Sequence, residues 1–197
     1  MLILLSISGT EPVTLADAKV AARVDNDLGD TSSLDDVITG AITTAREQAE
    51  QLTGRVYRAK VLRAQFSDWP AADDVIHVYA PNAVSISYWD GSAWQELVVP
   101  DFAFFPCGID GTGTGIAPAL NTSWPTLGAI AGGPRVRVDL TAGPTGDPGE
   151  LPIAECVKTY IKAQVTGWVN NGEALVNQQL QANPMLAGLL DSEDLLC

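Results

Sequence analysis

A chain of 197 residues with 46% hydrophobic and 18% charged residues can fill one domain core, and it carries too little charge for intrinsic disorder. Its formal net charge of −13 comes from 24 Asp and Glu against 11 Lys and Arg. A surface of that sign repels phosphate, which excludes the ordinary nucleic-acid binder and the basic membrane-surface protein.

The opening MLILLSISG is apolar but lacks a basic n-region and falls short of the ~7–15-residue core of a signal peptide. No later stretch approaches the ~18 apolar residues of a membrane span, so a soluble protein made and kept inside a cell is expected. Thr14 to Val24 reads as a short helix. The Thr14 hydroxyl is its N-cap, Asp17 completes an acidic capping box, and Leu15, Ala18, Ala21 and Ala22 share one face. A polar loop from Asp25 to Ser33 follows. The clearest helix then spans about 33–53, capped by Ser32 or Ser33. Leu34, Val37, Ile38, Ala41, Ile42, Ala45, Ala49 and Leu52 recur in it at steps of three and four. Gly54 sits where a left-handed residue ends a helix.

From Val56 to about Leu140 the apolar period drops to two. Strands are predicted at Val56–Phe66, Val75–Ala80, Val84–Trp89, Trp94–Val99, Phe102–Phe105 and Pro134–Thr141. Asp90-Gly91 marks a tight hairpin between Trp89 and Trp94. Residues 107–133 are glycine-rich with little periodicity, the kind of long loop that is commonly functional or mobile. After GPTGDPGELP, Pro152 opens a second strong helix over about 152–171. Its stripe is Ile153, Val157, Tyr160, Ile161, Val165, Trp168 and Val169, and Gly172 is its stop. The predicted class is therefore α+β: a helical core of two long helices and a short N-terminal one, an antiparallel β-rich insert over about 56–141, and a C-terminal tail over 173–197. The tail carries Leu175, Leu180, Met185, Leu186, Leu189, Leu190, Leu195 and Leu196. It is too short for a core of its own, so these side chains either fold back on the domain or pack on another chain.

Chemistry-bearing patterns are sparse. Cys107, Cys156 and Cys197 are odd in number and widely spaced, and His77 cannot complete a zinc set with them. His77 lies in VIHVY, an alternating stretch that favours a surface position over a catalytic one. No GxSxG, HExxH or Walker pattern occurs, and Gly111, Gly113 and Gly115 in GTGTG miss the spacing of a dinucleotide loop. Adjacent acids such as Asp35-Asp36, Asp73-Asp74 and Glu193-Asp194 diverge by about 100° on a helix, which suits solvated caps better than a paired acid and base. No catalytic residue, cofactor or metal is expected. Trp69, Trp89, Trp94, Trp124 and Trp168 allow an alternative, a carbohydrate-binding β-module, provided the rings are coplanar on one face. The plainer expectation puts Trp168 in the helical core and the others capping a small sheet, with Trp89 and Trp94 as a cross-strand pair.

Several motifs occur in a telling order: EPVTLADAKVAARVD, DDVITGAITTAREQAEQLTGR, YWDGSAW, Ser123-Trp124-Pro125, Val136 and Val138 leading into TAGPTG, and LPIAECVKTYIKAQVTGWVNNGE. Over roughly 11–172 the chain resembles the head–tail connector (adaptor) proteins of bacteriophages, a family also found in prophages and gene transfer agents. The resemblance implies a connector domain over 1–172 and a non-enzymatic part of a virion neck, made in the host cytoplasm. It further implies a homo-oligomeric ring, commonly of twelve copies, that meets a portal protein on one side and a stopper or tail terminator on the other. DNA would pass the channel without specific binding, since acidic walls repel phosphate. On that basis Val37, Ala41, Ala45, Ala49, Tyr160 and Trp168 are expected to pack the ring. The tail lies outside the resemblance, and its leucine content is what makes it expected to reach the portal.

Overall fold

The computed structural model describes residues 2–24, 32–71, 74–98, 100–108, 113–145, 152–170 and 188–191. The α+β class holds, and the chain divides into two units, Thr10–Tyr57 with Gly146–Cys197, and Met1–Gly9 with Arg58–Thr145. The first is helical and the second is built from antiparallel strands.

In the helical unit, α1 (Leu15–Ala22) starts as its sequence dictates. Thr14 Oγ1 accepts the Asp17 N–H at 3.1 Å and donates to Asp17 Oδ2 at 2.9 Å. α2 (Ser32–Thr53) already includes both candidate cap serines, and it ends before Gly54, whose φ of 69° supplies the left-handed stop. α3 (Glu155–Asn170) begins three residues after Pro152, with the Ala154 carbonyl accepting from Val157 and Lys158. The expected stop, Gly172, lies outside the described residues. The core joins Val13, Ala18, Ile38, Ile42, Ala45, Ala49, Val157, Tyr160, Ile161 and Val165. Two residues of the expected α2 stripe are not in it: Val37 is 62% and Leu52 50% exposed. Arg46 and Thr53 are buried instead.

Arg46 organises this unit. Its Nε donates to Glu11 Oε2 at 3.0 Å, Nη1 to Glu50 Oε2 at 2.9 Å and Nη2 to Glu47 Oε1 at 3.2 Å. Burial opposes its charge, but Glu50 and Glu11 outweigh that cost and hold its pKa above the ordinary arginine value. Glu50 also accepts the Tyr57 N–H at 2.9 Å, and the Tyr57 hydroxyl donates to Thr53 Oγ1 at 3.0 Å. The Lys19 ammonium pairs with Asp35, which ties α1 to α2.

The β unit holds a five-stranded antiparallel sheet in the order β1-β2-β7-β3-β4: β1 Leu2–Ile7, β2 Lys60–Phe66, β3 Ala83–Trp89, β4 Trp94–Leu97 and β7 Val136–Ala142. Strand alternation puts Val136, Val138 and Leu140 of β7 on one buried face with Ala64 of β2 and Val84 and Ile86 of β3. On the other face Arg63 forks onto the directly opposed Asp139 with bonds of 2.6 and 2.7 Å. A second, two-stranded sheet pairs β5 (Phe102–Cys107) with β6 (Gly113–Pro118).

Four sequence expectations are corrected. Leu2–Ile7, part of the run set aside as signal-like, is strand β1. The stretch 107–133 contains β6, whose glycines hide its strand character. Val75–Ala80 makes one bridge, Ile76 to Thr114, and no strand. Val56 and Tyr57 precede the sheet, because Tyr57 is held in the helical core.

The buried guanidinium sets a prediction. Replacing Arg46 by Met strands two carboxylates and should lower unfolding stability by about 3–5 kcal/mol. Glu47→Gln, at a half-exposed partner, should cost no more than about 1 kcal/mol. Urea unfolding of the two variants measures the difference.

Candidate functional site

The β3–β4 hairpin is built around one carboxylate. Asp90 Oδ1 accepts the N–H groups of Ser92 and Ala93 at 2.7 and 2.8 Å and the Ser92 hydroxyl at 2.9 Å. Its Oδ2 accepts from Gln95 at 2.7 Å. These bonds, the Ala93 and Ser92 backbone donors first, hold its pKa well below the usual carboxylate range. The loop 119–135 closes onto this turn: the Gly128 N–H donates to the Trp89 carbonyl at 2.8 Å. A side chain at Gly128 would meet the Gly91 nitrogen at 2.0 Å, so only glycine fits there.

The tryptophans spend their faces on each other. Trp89 and Trp94 are directly opposed across the hairpin with ring centroids 5.9 Å apart, as the cross-strand pairing predicted. The Arg137 guanidinium lies 3.7 Å from the centre of the Trp94 ring. Trp69 and Trp124 stack at 4.4 Å, and Trp69 also packs against Tyr88 at 5.7 Å. Tyr88 and Trp89 are neighbours on one strand and so point to opposite faces. The rings therefore form two separate clusters and no coplanar platform for a sugar.

His77 is exposed beside the Ile76 bridge, and among the described residues no hydrogen bond or ion pair links it to a carboxylate or a nucleophile. Nor do three or more His, Cys, Asp or Glu side chains converge to hold a metal among the described residues. Gly113 and Gly115 serve packing in β6. A Cβ on Gly113 would meet Val75 at 2.4 Å, and one on Gly115 would meet the Phe105 ring at 2.7 Å. Gly111 and Cys197 lie outside the described residues. Among the described residues no helix is long and apolar enough to cross a membrane.

The residues expected to pack a ring divide. Ala45, Ala49 and Tyr160 are buried in the helical core, and Ala41 and Trp168 lie half-buried against it. An alanine stripe is also what close intrachain helix packing needs. Val37 alone is open. In the tail, Leu190 is buried in the same core and Leu189 packs against it, so these two take the fold-back alternative. Leu175, Leu180, Met185, Leu186, Leu195 and Leu196 lie outside the described residues.

Sequence reasoning missed the open apolar surface. Val20 is 77% and Leu120 90% exposed, and β1 exposes Leu2, Leu4, Leu5 and Ile7. The signal was present in LILLSI, six residues without a charge or a breaker. The described residues thus present exposed apolar side chains on an acidic molecule.

No protein-family model matches the sequence, and no curated protein matches it. Solved structures do. A chain of the neck of an empty gene transfer agent particle, with C6 symmetry, superposes with a TM-score of 0.74 at 17% identity, covering 98% of this chain and 95% of that one. A chain of the virion of a native gene transfer agent particle gives 0.70 at 15% identity, with 98% and 95% covered. A chain of the neck of a native particle, with C12 symmetry, gives 0.61 at 15% identity, with 98% and 94% covered. At these identities the likeness is one of fold. That fold agrees with the connector resemblance carried by the motifs.

Two outcomes test the geometry. Asp90→Ala should lower the urea midpoint, and the gap to the parent should stay constant from pH 7 to 5. A depressed carboxylate adds stability above its unfolded pKa of about 3.9 and loses it as pH falls towards the folded value, so the gap should narrow below about pH 4. Leu190→Ala should cost about 2–4 kcal/mol in the same assay, because it opens a cavity in the helical core.

Proposed function

We propose that the chain is a structural head–tail adaptor of a tailed phage or phage-like particle. In this reading it is one copy of a closed ring beneath the portal, extends the DNA channel, and offers a docking surface to the stopper or tail. The observation that carries it is the shared fold with neck chains of gene transfer agent particles over 98% of the sequence. Their C6 and C12 symmetry supports a homo-oligomeric ring, commonly dodecameric, as the working form. A role without bond-making chemistry suits Arg46, Arg63 and Asp90, whose charges are engaged in hydrogen bonds and ion pairs that hold the fold.

Each copy brings a net charge of −13, so a channel wall built from it repels DNA phosphates and lets the duplex slide. A ring closes through a heterologous contact, one surface of a copy meeting a different surface of the next. Val37 on α2 is an open apolar position for such contact. The tail leucines beyond the core anchor at Leu189 and Leu190 are proposed to reach the portal: Leu175, Leu180, Met185 and Leu186 before it, Leu195 and Leu196 after it.

Electron microscopy of particles carrying this chain with a C-terminal label is the direct test. The label should decorate a collar between capsid and tail, and cells lacking the gene should accumulate filled heads without tails. Complete, infectious particles formed without the protein would overturn the proposal.

A further inference from the structure

The five-stranded sheet has two ends, and the two are built differently. β4 is four residues long and carries Gln95 and Glu96, both exposed, on a turn pinned by Asp90. Short length and charge are ordinary ways of guarding an edge against unwanted strand pairing. β1, at the other end, has neither. Its six residues, LILLSI, contain no charge, proline or glycine. The register shifts between Leu4 and Ser6, and this bulge leaves both Leu4 and Leu5 open to solvent, at 51% and 43% exposure. Leu2 and Ile7 are 37% and 43% exposed. β2 occupies one side of the strand and, among the described residues, no other strand occupies the far side, so outward N–H and C=O groups there face no ladder partner among them.

We infer that β1 is an assembly edge, completed in the working particle by an extended backbone segment of the adjoining copy of this chain. The inference rests on the ring reading above and names one of its contacts. Charge favours another copy as the occupant. Two molecules of −13 repel each other, so their contact is favoured where the surface is uncharged, and residues 1–10 contain no Asp, Glu, Lys or Arg. Backbone bonding at an edge supplies affinity that does not depend on charge, and the open leucines supply apolar area to bury with it. Ring geometry restricts the partner segment. A cyclic contact is heterologous, so β1 meets a different segment of its neighbour and does not pair with the neighbour's β1.

Amide hydrogen exchange of residues 2–7 in the free chain and in isolated necks reads this contact. On assembly the outward amides of β1 should slow by about tenfold or more. Equal exchange in both states overturns the inference. The double variant Leu4→Lys, Ile7→Lys changes positions already exposed, so the free chain should keep its circular dichroism and yet fail to enter rings. If the folded double variant assembles like the parent, the inference falls. Should it fail to fold, the exchange comparison on the unmodified protein still decides. Rings with an unprotected β1 sink this inference and leave the adaptor reading standing, whereas absence of the parent chain from necks sinks both.

Discussion

The helical unit is organised around a single buried guanidinium. Arg46 sits 2% exposed on the inner face of α2, a cost that becomes tolerable only because Glu11, Glu47 and Glu50 surround it. Glu11 precedes α1 and Glu50 lies one turn beyond Arg46, so the cluster fastens the entry of the first helix to the middle of the second. The same Glu50 holds the Tyr57 N–H, and Thr53 holds the Tyr57 hydroxyl. The last residue of the helical segment before the chain enters the β unit is thereby fixed in position. A misplaced Arg46 would loosen three things at once: the α1 approach, the α2 exit and the start of the β-rich segment.

That cluster also explains why two short motifs stand out in the sequence. EPVTLADAK contributes Glu11, the Thr14 cap and Lys19, while AREQAEQLTGR contributes Arg46, Glu50, Thr53 and Gly54. Glu11 pairs with Arg46 and Lys19 with Asp35, so the motif partners are spatial neighbours thirty-five and sixteen residues apart in the chain. Charged residues at buried positions are costly to change one at a time. A resemblance that rests on them therefore reports a packing solution as well as a list of letters.

The parts legible in the sequence are those whose signal is local. Thr14 caps α1 through its own neighbour, α2 repeats its apolar stripe, Gly54 takes the left-handed stop, and Asp90-Gly91 turns between two tryptophans that then pair. The parts that were illegible depend on partners far along the chain. β1 becomes a strand because Lys60–Ala64 is there to pair with it, and β6 because Ile76, Phe105 and Cys107 need glycines beside them. Val37 looked like core by spacing, yet the inward position of that turn is taken by Ile38. For Leu190 the sequence left open whether it folds back or packs on another chain, and only the three-dimensional core shows it buried among the helices.

The open and the closed surfaces of this molecule divide along the same line as its charges. Asp90, Asp139, Glu11 and Glu50 are spent on hairpin, sheet and helix contacts, while the chain as a whole keeps a net charge of −13. Diffuse charge of one sign cannot select a partner, and at physiological salt it is screened over about 8 Å. Specific contact must then come from what screening does not weaken, namely apolar side chains and unpaired backbone. The described residues leave both exposed together on β1, the edge proposed above for contact between copies. For the collar component proposed above, which would close around a polyanion, repulsion everywhere except at the joints is a consistent physical design.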